Sequence, residues 1–341
     1  MSRDGFGVEL TPQPHVPGNA CPLQCCGASP GPIDVAKIAR DGGRFVQVGD
    51  GRIVEYFVYG SDDPGARVML QIAGSMGTGA LFKDMEGMMG VLREHNIRGI
   101  SITVPGHGYS SNHPTRRIGD WPREDCEPVF AKEGVDGPFM LEGHSFGTAH
   151  ALAVMHHFGA RVTAMHLHLP YLPIPIRKEK GMKEVLAHDL IKGDHAWAAT
   201  IAACPTFCMC SAMMGCAAAC PCLSADPKMD ADAGFPFMAA VGKDTTRSAA
   251  GSIHGLVYNA LVPMISADWG FDLLGSDVAQ TKVLVSYGDA DNACPPEHGN
   301  FLYEHYKSRA LAAEVQVGKG GHEAHMGAMA RGEQVRKLLA M

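Results

Sequence analysis

An α/β fold with a mostly parallel sheet is the architecture this sequence predicts, and three observations predict it. Short apolar runs take turns with helical stretches along both ends of the chain. Most of those runs are continuous, as strands buried on both faces require. Two alternating segments near the start flank Asp50-Gly51, a strong hairpin signal.

Arg44 to Gly49 and Arg52 to Tyr59 are therefore two antiparallel strands that open the fold. A strand over Val68 to Ala73, a Gly-rich turn, a helix over Gly79 to Glu94 and a strand over Gly99 to Val104 follow. The rhythm continues with a helix near Glu124 to Glu133, a strand at Phe139 to Leu141, a helix from Thr148 to His157 and a strand at Ala164 to Leu169. From Pro170 to Gln280 it stops: this stretch is mainly helical, with breakers at Pro205, Pro221, Pro227 and Pro236. It resumes with a strand at Thr281 to Tyr287, a helix at Glu297 to Arg309, a strand at Ala313 to Val317 and a helix from Ala324 to Leu339. The result is an eight-stranded sheet flanked by helices. Its core, 41–170 and 280–341, is interrupted by a helical cap insertion at 171–279 and preceded by a flexible N-terminal arm, 1–40.

With 341 residues, 46% of them hydrophobic, the chain can bury a large core. Its net charge of -7 offers no basic field for nucleic acid or an anionic membrane, and the longest basic run is Arg177-Lys178-Glu179-Lys180. Met1 to Pro32 lacks the basic start and apolar stretch of a secretory signal. Eleven cysteines with no visible route to the exterior read as reduced thiols in the cytoplasm. A plastid transit role for the arm stays open, with Asp4 and Glu9 against it.

The chemistry concentrates at Gly143-His144-Ser145-Phe146-Gly147, set between a strand and a helix. A Ser hydroxyl becomes a competent nucleophile only when held clear of the backbone, beside a base and near oxyanion donors. A sharp strand-to-helix turn does this, and glycines on either side permit the turn. The alternative is a chance match to Gly-x-Ser-x-Gly, against which the strand–turn–helix context speaks.

Taken together, residues 44 to 341 resemble the α/β-hydrolase family. Its marks occur in order: the Asp50-Gly51 hairpin, Ile72-Ala73-Gly74-Ser75-Met76-Gly77 at the oxyanion loop, and Pro105-Gly106-His107-Gly108-Tyr109-Ser110 at the Gly-x-Gly-x-Ser loop. The Ser145 elbow, Gly288-Asp289-Ala290-Asp291 and Gly320-Gly321-His322 complete the series in the family's order of Ser, acid, His. The resemblance implies Ser145 as nucleophile, His322 as general base and Asp291 as the carboxylate that orients the imidazole. His325 is the decoy for the base, and with His322 it would form a metal pair only if that segment were helical. Asp289 competes with Asp291; the family's Gly-x-x-Asp spacing selects Asp291 and leaves Asp289 to cap the turn.

The oxyanion hole implied by the resemblance uses the N–H of Phe146 and a second N–H at Ser75 or Met76. Two departures stand out. Ala73 occupies the place of the usual His, so the bonds that brace that loop must come from elsewhere, and Thr103 replaces a common Asp before the Gly-x-Gly-x-Ser loop. His107, in a loop that usually borders the mouth of the site, is a candidate substrate contact. Asp268 to Leu273 looks like a segment of a poorly characterised branch of the family.

The expected function is thus cofactor-free and metal-free hydrolysis of a small or medium ester through an acyl-enzyme, with a small-molecule acyl substrate as partner. A ligand-sensing protein of the same fold, or an acyltransferase, is the alternative. A nicotinamide site is disfavoured: Gly74-Ser75-Met76-Gly77-Thr78-Gly79 has the wrong glycine spacing, and Tyr303 with Lys307 lies too near the C-terminus. In the insertion, Cys204, Cys208, Cys210, Cys216, Cys220 and Cys222 read first as small apolar residues. A soft-metal site lacks a Cys-x-x-Cys pair; lipid attachment or membrane contact is the remaining reading, with Pro205, Pro221 and the weakly apolar content against an actual span. Lipid attachment at Cys21, Cys25 or Cys26 is the lesser alternative to solvated thiols. His166 and His168, alternating on one strand, would share a face and pack against helices.

Overall fold

The computed structural model describes residues 33–75, 77–113, 116–182, 227–234, 236–248, 250 and 268–341. The arm cysteines, Met76 and the Cys204 to Cys222 cluster lie outside them. Eight strands form one sheet in the order β1-β2-β4-β3-β5-β6-β7-β8. They are β1 (Arg44–Gln47), β2 (Ile53–Gly60), β3 (Arg67–Ile72), β4 (Ile97–Ile102), β5 (Phe139–His144), β6 (Val162–His168), β7 (Lys282–Gly288) and β8 (Ala312–Gly318). β2 is antiparallel to both β1 and β4, and every other pair is parallel. The hairpin and all eight strands predicted from sequence are present, with no end shifted by more than three residues.

Adjacent residues on the central strands divide between two cores, as the period of two demands. Leu70, Leu141, Met165 and Val283 face one apolar cluster, while their neighbours Met69, Met140, Ala164 and Leu284 face the other. The helices used below are α1 (Val35–Arg40), α2 (Ala80–Lys83), α3 (Glu86–Glu94), α4 (Glu127–Glu133), α5 (Gly147–Phe158), α6 (Ile174–Glu179), α7 (Pro227–Ala233), α8 (Phe237–Ser248), α9 (Pro296–Tyr306), α10 (Met326–Ala330) and α11 (Glu333–Ala340). α5 is buried from Gly147 to Met155, which is why its sequence shows no polar face. Among the described residues no helix is long and apolar enough to cross a membrane.

Three stretches differ from their sequence-based outlines, each for an identifiable reason of packing. The 79–94 stretch breaks into α2 and α3 because Met85 turns extended (φ -87°, ψ 91°) to bury its side chain. The C-terminal helix breaks at Gly332, whose φ of +71° ends α10, and where a Cβ would lie 2.7 Å from Val91. The stretch read as a free arm ends in α1: Asp34 caps it through the N–H of Ala36, and Ile38 packs with Phe45 and Ile53.

On the Met69 face, one step further along the strands, a line of polar side chains crosses the buried sheet. Tyr59 donates to Gln71 (2.8 Å), and Gln71 Nε2 donates to Glu142 (2.5 Å). Glu142 pairs with His166 Nδ1 (3.1 Å), and His166 Nε2 meets Ser286 Oγ (2.8 Å). His166 therefore belongs to a network within the sheet and does not simply pack against helices. Buried polar groups are tolerated when each has a partner.

α8, which lies between β6 and β7 in the chain, docks on the core through two carboxylates. Arg247 makes two bonds to the buried Glu55 (2.8 and 2.6 Å) and one to Asp41 (2.9 Å), while lying 4.9 Å from the ring centres of both Phe57 and Tyr109. One turn earlier, Asp244 is buried against Thr78, accepting its backbone N–H at 2.7 Å and bonding its hydroxyl.

Two expectations follow for stability. Glu142→Ala deprives Gln71 and His166 of partners at once and should lower the unfolding free energy by about 2–5 kcal/mol in urea titrations, with Glu142→Gln costing less than half of that. For Asp244, burial pushes the carboxyl up to about 7, against the hydrogen bonds of Thr78 and the charge of Arg247, with Glu55 adding to the rise. The folded chain then holds a proton that the unfolded chain releases near ~4. That stabilisation is complete below the unfolded value and is lost as pH rises through the folded one. Asp244→Asn should accordingly flatten the decline of melting temperature between about pH 4 and 7, measured by calorimetry.

Candidate active site

The elbow sits where β5 ends and α5 begins, at the C-terminal edge of the parallel strands, where α/β sheets place their sites. Ser145 holds a φ of +52°, a left-handed conformation that costs a non-glycine residue about 1–2 kcal/mol. Its N–H donates to His168 O (2.8 Å), and its carbonyl accepts from the Thr148 N–H (2.9 Å) and hydroxyl (2.6 Å). The flanking glycines are required by contact. A Cβ on Gly147 would stand 2.5 Å from the carbonyl oxygens of Ile72 and Ala73, and one on Gly143 would stand 2.7 Å from Ala151 Cβ. This close approach brings the start of α5 against the loop that follows β3.

Three side chains far apart in sequence converge here. His322 Nε2 lies 2.9 Å from Ser145 Oγ, and His322 Nδ1 lies 2.8 Å from Asp291 Oδ2. The other carboxylate oxygen, Asp291 Oδ1, accepts the N–H groups of Ala293 (2.7 Å) and Cys294 (2.9 Å). Burial alone would raise the Asp291 carboxyl, but the bond and charge of His322 with these two N–H groups hold it below its ordinary value. Asp289, its competitor, is exposed and closes the turn by accepting the Gly320 N–H (3.0 Å) and Lys319 Nζ (2.7 Å). His325 sits at the start of α10 with a φ of +67°, its ring 6.4 Å from that of His168. The segment between His322 and His325 is a turn, so the two do not share a helix face.

Sequence reasoning missed two neighbours. Cys294, buried, places Sγ 4.0 Å from Ser145 Oγ, and burial pushes its thiol well up, which keeps it protonated. The only signal for it was its position three residues past Asp291 in a turn. His144, the residue before Ser145 in the pentapeptide, has its ring tilted 4.9 Å from that of His168 and 6.0 Å from that of His322. Burial and then the charge of His322 lower it to about 3, so His144 stays neutral beside the base. His168, also buried, is lowered well below its ordinary value.

Of the expected oxyanion residues, Phe146 is the first residue before α5, with its ring edge-on to the buried Tyr171 at 5.1 Å. Ser75 is exposed in the loop after β3, Met76 lies outside the described residues, and a Cβ on Gly74 would stand 3.1 Å from Ser145 Cβ. His107 is 1% exposed, folded within its own loop with Nδ1 3.2 Å from Pro105 O, and burial lowers it to about 4. Trp269 stacks on Tyr171 at 6.2 Å, extending an aromatic wall behind Phe146.

Among the described residues, Asp291, Cys294 and His322 form the one group of acidic, Cys and His side chains compact enough for a metal ion, with ligand atoms within 4.8 Å of one another. Both oxygens of Asp291 are already engaged, so a cation would have to break the bond to His322.

No protein-family model matches the chain, and no curated protein sequence does. Solved structures do match. An esterase from Exiguobacterium antarcticum is 17% identical with a TM-score of 0.60, covering 88% of this chain and 100% of its own. An esterase from Rhodococcus is 18% identical with a TM-score of 0.60, covering 88% and 98%. A bromoperoxidase from Bacillus anthracis is 16% identical with a TM-score of 0.62, covering 88% and 100%. At such identities the likeness is one of architecture, and with the strand order and the elbow above it identifies this chain as having the α/β-hydrolase fold.

Proposed function

We propose that the chain is a serine hydrolase that cleaves a small or medium carboxylic ester through an acyl-enzyme. One observation carries this: an unbroken hydrogen-bonded line from Asp291 through His322 to the hydroxyl of a Ser held in left-handed backbone. The esterases among the solved structures of this fold lend further support.

In this mechanism Ser145 Oγ attacks the ester carbonyl while its proton passes to His322 Nε2. The imidazolium that forms donates from Nδ1 to Asp291, whose lowered carboxyl stays ionised. The oxyanion takes the N–H of Phe146 and a second N–H from Ser75 or Met76. His322 returns the proton to the departing alkoxide, then draws one from water, which frees the acid. His144 and His168, held neutral by burial, leave His322 as the base at this end of the sheet. The inserted segment, 171–279, serves as a cap that selects the acyl group, and the eleven cysteines fit work in a reducing cell interior.

The check is steady-state turnover of p-nitrophenyl esters of increasing chain length, with and without added alcohols. Ser145→Ala and His322→Ala should each lower kcat/KM at least about a thousandfold, and Asp291→Asn about a hundredfold to ten-thousandfold, with unchanged melting temperatures. Undiminished turnover in Ser145→Ala refutes the proposal. Tight ligand binding without turnover would assign a sensor, and ester products formed from the added alcohols an acyltransferase.

A further inference from the structure

The loop after β3 lacks the His that usually braces it, since Ala73 stands there, and yet it must hold an N–H within reach of Ser145. Its brace comes from a distant part of the chain. The carboxylate of Asp244, on α8 and 166 residues away, accepts the Thr78 N–H at 2.7 Å and bonds the Thr78 hydroxyl as well. Thr78 Oγ1 accepts the Ala80 N–H (3.2 Å), tying the same residue to the start of α2. Gly77 lies directly over the carboxylate, where a Cβ would be 3.5 Å from Asp244 Oδ2, and its N–H donates to Gly74 O (3.1 Å). Gly74 lies close enough to Ser145 that an added Cβ would stand 3.1 Å from the Ser145 Cβ, so a short line of neighbours runs from Asp244 through Thr78, Gly77 and Gly74 to Ser145.

α8 is not free to drift beneath this loop. Arg247, one turn after Asp244, is held by Glu55 and Asp41, and Ser248 O accepts the Gly108 N–H at 2.8 Å. A buried carboxylate facing a backbone N–H and a hydroxyl is a stiff connection, because breaking it strands polar groups away from water.

We infer that Asp244 is a positioning residue for the oxyanion hole: through Thr78 it sets the backbone of the loop that offers the second N–H donor. This deepens, and rests on, the serine-hydrolase proposal. The inserted segment then has two tasks, selecting substrate and fixing the donor that stabilises the tetrahedral intermediate. Both acylation and deacylation pass through that intermediate, so a displaced donor slows both and leaves ground-state binding nearly untouched.

The test uses the full-length chain and a p-nitrophenyl ester, with kcat expressed per serine titrated to completion by a fluorophosphonate. Asp244→Ala should lower kcat about 10- to 30-fold while KM changes less than about twofold, a fraction of the loss caused by removing a donor outright. Its affinity for a trifluoromethyl ketone, which forms a tetrahedral adduct on the serine, should weaken by the same factor. Asp244→Asn should stay within about threefold of the parent, since its amide accepts from the Thr78 N–H and donates to the hydroxyl. If Asp244→Ala does not fold, Thr78→Val carries the test, because it removes the hydroxyl and keeps the backbone N–H.

A brace that serves folding alone would lower the melting temperature and leave kcat per titrated serine unchanged. That outcome, or an Asn variant as impaired as the Ala variant, overturns the inference while ester hydrolysis by Ser145 stands. A parent chain no more active than Ser145→Ala on every ester overturns the hydrolase proposal and this inference with it.

Discussion

Left-handed backbone at Ser145 is the constraint around which the rest of the molecule is arranged. A residue with a Cβ keeps such a conformation only when its surroundings leave no easier one. Here the Ser145 N–H is claimed by the end of β6, its carbonyl by the first turn of α5, and its neighbours on either side have room for hydrogen alone. The register of β5 against β6 and the depth to which α5 is sunk both serve this turn. A well-packed parallel sheet makes the strained turn affordable in energy, and the turn lifts one hydroxyl clear of the strand toward His322.

The same sheet carries an unusual amount of polarity for a layer buried on both faces. Gln71, Glu142, His166 and Ser286 lie on the face that, one step on, presents His144 and His168 beneath the site. Each imidazole that is buried near the base without a charge partner is driven to its neutral form. Selectivity among so many histidines is thus electrostatic: His322 is half-exposed and faces a carboxylate, and those behind it are not. Among the described histidines His166 also has a carboxylate and a serine hydroxyl in reach, Glu142 and Ser286, but it is sealed within the sheet, whereas His322 is partly exposed at the strand ends beside Ser145.

Fold and elbow were legible because they rest on local pattern. Continuous apolar strands, Asp50-Gly51 and Gly-x-Ser-x-Gly are short-range signals, and chain order then placed Asp291 and His322 near the ends of β7 and β8. What escaped notice depends on contacts between distant segments. The break of the 79–94 helix at Met85 answers to burial in the core, and α1 answers to the pocket its Ile38 fills. Cys294 sits beside Ser145 only because the turn after Asp291 folds back on the carboxylate. His107 looked like a residue at the mouth from its loop alone, yet that loop curls inward over β2 and buries the ring.

Asp244 belongs to this second kind, and it shows why the absence of an expected residue can be informative. Ala73 stands where the resemblance expects a bracing His, and Thr78 in the same loop hydrogen-bonds to Asp244 instead. Asp244 lies between β6 and β7 in the chain, and Thr78 and the nearby Arg247 offset its burial only in part, so its carboxyl stays raised. Where the core of a fold gives up a local brace, an inserted segment that docks at the same spot can take over its work. On the proposed reading the segment between β6 and β7 is then part of the geometry of the site, and the two regions do not vary independently.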